Sequence, residues 1–133
     1  MDARTRNHVR LRADHRCEYR QIHQRHYSIT FHVEHITPVQ HHGSDDESNL
    51  ALACHHCNRH KGPNLAGIDP QTSTMTRLFH PRTDVWADHF EIDAGSIVGL
   101  TDIGRTSVDV LAMNDPIRVQ TRLELEPERF ARE

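Results

Sequence analysis

Apolar and polar positions in the first third of the chain predict one helix followed by one strand. Residues 7–16 place a few apolar side chains among basic ones and predict a surface helix. Residues 27–36 mix β-branched and aromatic residues with partial alternation, which is typical of a strand. Pro38 has no N–H to donate, so the hydrogen-bonded ladder is expected to end there.

A loop and a second apolar segment follow that strand. Residues 40–48 are polar and contain a glycine and three acids, which predicts an exposed loop. The apolar run 50–53 leads into a predicted helix over about 55–60, and Gly62-Pro63 stops it.

The second half of the chain has clearer hairpin and helix signals. Residues 90–93 and 96–100 flank Ala94-Gly95, which predicts a two-residue β-turn. Thr101 is a favourable N-cap for an amphipathic helix, and Pro116 is suited to open a last, charged helix. Together the elements predict an α+β fold.

Composition favours a small soluble domain. Only 35% of the 133 residues are hydrophobic, so the core should be modest, and a bound metal could add stability. No apolar run approaches the roughly 20 residues that span a bilayer. The segment Met1–Arg12 is polar and basic without an apolar signal region, so we expect a cytoplasmic protein with no membrane partner.

Charge and metal-binding residue types are unevenly distributed. Residues 1–30 contain seven arginines against three acids, which is compatible with a phosphate-facing end but does not by itself indicate nucleic acid. The chain has 13 histidines and three cysteines. So few cysteines argue against a disulfide framework and favour thiolate ligands or buried thiols.

The block most informative about chemistry lies between residues 33 and 62. It contains the pair Glu34-His35, then Asn49 before Leu50, then a Cys-x-x-Cys-Asn-x-x-Lys sequence that starts at Cys54. In this order and at this spacing, the block resembles the HNH endonuclease family. The resemblance implies a β-β-α metal core with a treble-clef-like fold, followed by a C-terminal β-hairpin and helix extension.

The resemblance implies a role for four residues. His35 corresponds to the general base and Asn49 to the residue that orients it, while Glu34 and Asn58 correspond to the ligands of one divalent metal ion. A neutral imidazole near pH 7 can accept a proton from water. Glu and Asn offer hard oxygen ligands that suit Mg²⁺ or Mn²⁺. Neighbouring residues of a regular strand point to opposite faces, so Glu34 and His35 are expected at a distorted strand end.

The family often carries a structural zinc held by two Cys-x-x-Cys pairs, and here the first pair is incomplete. Arg20 stands where the thiolate that pairs with Cys17 belongs. Cys17, Cys54 and Cys57 remain, and His23, His26 or His15 would have to supply a fourth ligand, with His23 as our assignment. The alternative is three buried thiols without metal.

Basic residues near the metal block are candidate nucleic-acid contacts. Lys61, the only lysine, follows Asn58 by one helical turn, and it is assigned to phosphate binding together with Arg59. An equally good interpretation of Lys61 is a cation that interacts with the helix C-terminus. Three arginines of the extension are further candidates: Arg77, Arg82 and Arg105.

These observations predict a single domain over residues 1–133, with its core motif at about 15–62 and an extension at about 63–133. The expected function is metal-dependent hydrolysis of phosphodiester bonds, with DNA as the expected partner and a monomer or homodimer as the active species. The alternative is a catalytically inactive zinc- or nucleic-acid-binding module of HNH-like fold.

Overall fold

The computed structural model describes residues 1–131 and shows a mixture of helices and small antiparallel sheets. The predicted α+β class is confirmed. In chain order the elements are α1 (Ala3–Arg12), β1 (His32–His35), β2 (Leu50–Ala53), α2 (His55–Lys61), β3 (Ala66–Ile68), β4 (Met75–Arg77), α3 (Trp86–His89), β5 (Phe90–Asp93), β6 (Ser96–Gly99), α4 (Asp102–Val110), α5 (Pro116–Leu125) and α6 (Pro127–Phe130). Strands pair as β1-β2, β3-β4 and β5-β6. None of these helices is both long and apolar enough to cross a bilayer.

The chain forms two compact units. The first comprises residues 1–64 and 80–83, and the second comprises residues 65–79 and those from 84 onward. The expectation of one domain over residues 1–133 stays a prediction. All the residues of the metal block belong to the first unit.

Helix α1 lies earlier in the chain than the predicted helix over 7–16. It begins after Asp2, whose carboxylate accepts a hydrogen bond from the Thr5 N–H at 2.8 Å. It cannot continue past Arg12 because Asp14 and His15 adopt positive φ angles of 54° and 56°. The spacing of apolar residues indicates neither the Asp2 cap nor the positive φ angles, so the helix predicted over 7–16 has different bounds from α1.

Strand β1 is shorter than the predicted strand over 27–36. The side chain of Gln24 forms hydrogen bonds with the backbone just before β1. Its Oε1 accepts from the Phe31 N–H at 2.6 Å, and its Nε2 donates to the Ile29 carbonyl at 3.0 Å. These bonds satisfy backbone groups that a strand would use for its ladder. A side-chain contact therefore replaces strand pairing before His32.

Strand β2 forms the centre of the first unit. All four of its residues are buried, and it pairs with β1 so that Glu34 faces Ala51 and His35 faces Leu50. The opposite edge of β2 is satisfied by Glu18, whose N–H donates to the Leu52 carbonyl at 2.9 Å and whose carboxylate accepts from the Leu52 N–H at 2.8 Å. These two bonds pair the Leu52 backbone, so this part of the sheet edge is not left open.

The second unit contains two strand pairs and the C-terminal helices. Strands β5 and β6 are joined by Ala94 and Gly95, whose φ angles of 48° and 87° are those of a tight turn. Thr101 caps α4 by accepting from the Gly104 N–H at 3.0 Å, and Pro116 opens α5. The pair β3-β4 was not predicted, because each strand has only three residues and gives too little alternation to detect.

Candidate active site and thiol cluster

The β1-β2-α2 arrangement brings the predicted metal block together around one open pocket. The strand pair carries Glu34 and His35, while α2 carries Asn58. The pocket has a volume of about 310 Å³ and is lined by His32, Val33, Glu34, His35, Pro38, Val39, Asn58 and Gly62. Three of the four residues with an implied role therefore share one cavity.

Glu34 lies at the buried side of this pocket and is 8% exposed. Its Oε1 accepts a hydrogen bond from the Tyr19 hydroxyl, and its Oε2 lies 3.2 Å from the Lys61 ammonium. Burial raises the pKa of the Glu34 carboxyl, against the opposing effects of the Lys61 charge and the Tyr19 hydrogen bond. Burial and the neighbouring carboxylate also hold the pKa of Tyr19 well above its ordinary value, so the phenol remains a donor.

Lys61 is an internal cation, which corrects its assignment to phosphate contact. The residue is 2% exposed, and its ammonium donates to the carbonyl of Ile36 at 2.9 Å and to that of His35 at 3.4 Å. Together with Glu34 these oxygens occupy the three N–H donors of the ammonium. The lysine thus joins α2 to the end of β1.

His35 points toward the loop between β1 and β2. Its Nε2 lies 2.6 Å from Oδ1 of Asp45. That hydrogen bond is the main reason why the pKa of Asp45 is below its ordinary value. A carboxylate only accepts hydrogen bonds, so Nε2 carries the proton, and Nδ1 is the acceptor of the neutral ring.

Asn49 holds the same loop rather than the His35 ring. Its Oδ1 accepts from the Thr37 N–H at 2.8 Å, and its Nδ2 donates to the carbonyls of Thr37 at 3.0 Å and Ser44 at 2.8 Å. The Ile36 N–H also donates to the Asn49 carbonyl at 2.8 Å, which continues the β1-β2 ladder. Asn49 therefore closes the loop that carries Asp45.

The donor atoms of the pocket fit a hard divalent cation. Each Glu34 oxygen has two lone pairs and accepts one contact from the protein, so both can accept another. None of the hydrogen bonds found among residues 1–131 uses the side-chain amide of Asn58, and this residue lines the same cavity. Carboxylate and amide oxygens are suitable ligands for Mg²⁺ and Mn²⁺.

A second cluster lies in the interior of the first unit and contains all three cysteines. The sulfurs of Cys17, Cys54 and Cys57 lie within 4.8 Å of one another, and each residue is at most 1% exposed. In the part of the chain that the structure describes, this is the one group of at least three Cys, His, Asp or Glu residues whose ligand atoms lie close enough together to hold a metal ion. Cys17 lies 37 residues before Cys54 in the sequence, and the fold brings its sulfur next to those of Cys54 and Cys57.

Arg20 completes this cluster with a buried guanidinium. It is 1% exposed, its Nε donates to Sγ of Cys54 at 3.0 Å, and its Nη2 donates to the Tyr27 hydroxyl at 3.0 Å. His23, the assigned fourth zinc ligand, is not in the metal-binding group. Its Nδ1 accepts from the Arg25 N–H at 2.9 Å instead.

The three thiols have very different proton affinities. Hydrogen bonds from Cys17 and Cys57, followed by the charge of Arg20, hold the pKa of Cys54 far below its ordinary value. Burial raises the pKa of Cys17 to about 12 and that of Cys57 well above the ordinary value. Burial is the largest single effect on Arg20 and lowers its pKa, but the combined attraction of Cys54, Cys57 and Cys17 outweighs burial and raises the pKa of the guanidinium. The Arg20 guanidinium therefore favours negative charge on the Cys54 sulfur.

The zinc expectation does not fit this donor set. A closed structural zinc site takes four ligands, and only three sulfurs are available. The residue at the fourth position is an arginine, which has donors but no acceptor atom and cannot bind a metal.

Among the candidate nucleic-acid contacts, Arg59 is exposed on α2. The three arginines of the extension are instead bound to carboxylates, which argues against their role as free phosphate contacts: Arg77 binds Asp84, Arg82 binds Glu18, and Arg105 binds Asp69.

Sequence reasoning missed two residues that contact the predicted site, Tyr19 and Asp45. Tyr19 lies between Cys17 and Arg20, in the incomplete Cys-x-x-Cys segment, and the spacing of this segment indicates zinc ligands rather than a contact with Glu34. Asp45 is one of three neighbouring acids in a polar loop, and nothing in the sequence distinguishes the one that pairs with His35.

Comparison with known proteins agrees with this geometry at the level of the family. Neither the search of curated proteins nor the search of solved structures gave a match. A family model did match, and it covers residues 15–64, which include both the pocket and the thiol cluster. Over this segment the chain matches the model described as HNH endonuclease, which confirms the family resemblance.

Proposed function

We propose that this protein is a metal-dependent HNH endonuclease that hydrolyses phosphodiester bonds in DNA. The observation that carries the proposal is that Glu34, His35 and Asn58 line one open pocket within the segment that matches the family. An imidazole base beside two hard oxygen ligands is suited to hydrolysis, and a module that only bound nucleic acid would have no need of it.

His35 is the general base in this proposal. The Asp45 carboxylate accepts a hydrogen bond from Nε2–H of His35, so Nδ1 of the neutral ring can take a proton from a water molecule. As that proton leaves, the water oxygen attacks phosphorus and the bond from phosphorus to the leaving oxygen breaks. The leaving oxygen then takes a proton from solvent, which balances the hydrolysis.

Glu34 and Asn58 would hold one Mg²⁺ or Mn²⁺ ion. A bound divalent ion would supply Lewis-acid stabilisation of the charge that develops on the phosphate. Lys61 and Tyr19 fix the Glu34 carboxylate at the inner wall of the pocket, so that its position does not depend on solvent. Asn49 acts as a positioning residue because it closes the loop that carries Asp45.

The charge of the first unit supports a nucleic-acid substrate. The exposed side chains of Arg4 and Arg6 lie on α1, and Arg59 lies next to Asn58 on α2. Guanidinium groups are suited to phosphate contacts, which carry affinity without reading the sequence of bases. A single copy should cut one strand, so a double-strand break would need a dimer or two encounters.

Nicking of supercoiled plasmid tests the proposal. Wild type should nick in Mg²⁺ or Mn²⁺ and not in a chelator. The change His35→Ala should lower the rate by roughly 100-fold or more, since a general base contributes 10² to 10⁴. His41→Ala is the matched control, because His41 is exposed on the same loop and does not line the pocket.

Two results would contradict the proposal. Equal nicking by wild type and His35→Ala would place the activity elsewhere. The lack of nicking in every metal, together with retained DNA binding, would favour the second candidate function, an inactive binding module. One observation favours that candidate: the Glu34 carboxylate already has a positive partner in Lys61.

A further inference from the structure

We infer that Arg20 replaces the structural zinc in the thiol cluster of this chain, so that an internal guanidinium, rather than a metal ion, holds Cys17, Cys54 and Cys57 together. The inference does not rest on the proposed nuclease activity. It follows from the contacts of one buried arginine and from the number of ligands.

The buried guanidinium of Arg20 needs a neighbouring anion. A guanidinium that is 1% exposed is strongly destabilising unless an anion lies next to it. None of the ion pairs between residues 1–131 joins Arg20 to a carboxylate, and its side-chain hydrogen bonds go to Cys54 and Tyr27. The sulfur of Cys54 is therefore the counter-ion of Arg20.

Arg20 stands at the sequence position where a fourth zinc ligand would be expected. Arg20 follows Cys17 by three residues, which is the spacing of a Cys-x-x-Cys pair. Its Nε reaches Sγ of Cys54 at 3.0 Å, so the side chain at this sequence position extends into the cluster. Because arginine offers no lone pair, a metal ion there would have three protein ligands and a cation beside it.

Arg20 connects the same two segments of the chain that a zinc ion would connect. A zinc ion in such a cluster joins the segment around Cys17 to the start of α2, and the same two segments are joined here by Arg20 through Cys54. Cys54 is also the N-cap of α2, because its Sγ accepts from the Cys57 N–H at 3.4 Å. The guanidinium thus serves the linking role without a metal.

Zinc content and a single substitution test the inference. Wild type, expressed with added zinc and dialysed into metal-free buffer, should hold less than about 0.1 zinc per chain. Arg20→Cys supplies the missing thiolate and should hold about one zinc per chain, since four thiolates complete a structural site. Arg25→Cys is the matched control, because it adds a cysteine and removes an arginine at an exposed position of the same segment, and it should hold none.

The outcomes separate the possibilities. About one zinc per wild-type chain would overturn the inference, as would a folded Arg20→Cys protein that binds no zinc. If Arg20→Cys does not fold, the thermal midpoint of wild type with and without EDTA decides. An unchanged midpoint supports the metal-free cluster, and a midpoint lowered by several degrees refutes it.

Discussion

At the scale of single residues, the lysine of the metal block shows how one side chain can have a different role from the one its sequence position indicates. Lys61 lies one turn after Asn58 on α2, which is typical of a phosphate contact. Its ammonium is instead buried between Glu34 and two backbone carbonyls. The residue therefore stabilises the site from inside.

The first prediction concerns this buried pair. Lys61→Met should lower the free energy of unfolding by about 3 kcal/mol, because it leaves the Glu34 carboxylate buried without its cation. Chemical denaturation measures the change. Arg59→Met is the control on the same helix, and it should stay within about 0.5 kcal/mol because Arg59 is exposed. If the two variants are equally stable, the ion pair does not stabilise the fold.

The second prediction concerns phosphate contact. Arg59→Ala should weaken binding to a short DNA duplex and reduce the slope of log affinity against log salt by about 0.9, the effect of one lost contact. Fluorescence anisotropy at several salt concentrations measures both. Arg77→Ala should leave the slope unchanged, because Asp84 already binds that guanidinium at 2.7 and 2.9 Å. Equal slopes for wild type and Arg59→Ala would exclude Arg59 as a contact.

At the scale of elements, the loop between β1 and β2 connects the sheet to the chemistry. It carries Asp45 and is closed by the Asn49 amide. The middle of the loop packs closely against its start, since a Cβ on Gly43 would lie 1.7 Å from the Thr37 carbonyl oxygen. Only glycine is compatible with this approach.

The third prediction therefore concerns Gly43. Gly43→Ala should force the loop to shift and should lower the free energy of unfolding by about 2 kcal/mol, as overpacking of a tight site does. Nicking should fall with it, because Asp45 moves away from His35. Ser48→Ala is the control in the same loop, where the side chain is exposed, and should change neither measurement. Normal activity of Gly43→Ala would show that the loop need not keep this conformation.

At the scale of the whole molecule, the two compact units rely on different polar centres. The first contains the pocket and the thiol cluster, and the second contains Asp69, which has no exposed surface. Its carboxylate accepts from Arg105 Nε at 3.1 Å and Nη2 at 2.9 Å, and also from the Gln71 N–H and the Thr72 hydroxyl. These bonds, above all those from Arg105, hold the pKa of Asp69 below its ordinary value of 3.8.

The fourth prediction follows from the sign of that shift. A carboxyl with a lowered pKa in the folded state stabilises the fold above its unfolded-state pKa, and this contribution is lost as pH falls through the folded-state pKa. Asp69→Asn should therefore lower the thermal midpoint at pH 7, and the difference from wild type should shrink as pH falls below 3.8. Asp93→Asn, at the exposed end of β5, should show little difference at any pH. A difference that persists unchanged at low pH would mean that charge is not the cause.

What the sequence determined by itself is the local pattern and the resemblance of residues 15–64 to the HNH endonuclease family. The tight turn at Ala94-Gly95, the N-cap at Thr101, the helix start at Pro116 and the HNH-like block depend on neighbouring residues or on fixed spacing. Such features are encoded within a few positions of chain. They could therefore be predicted without knowledge of the fold.

The tertiary structure alone decided which charges meet. The partners Asp45 and His35 are ten residues apart, Lys61 and Glu34 are 27 apart, and Arg20 and Cys54 are 34 apart. The periodicity of the sequence does not indicate which of the three neighbouring loop acids pairs with His35. It also does not indicate that the Lys61 side chain points into the protein rather than toward solvent. Those choices depend on which groups the packed sheet and helix remove from water, because a buried charge must find a partner there.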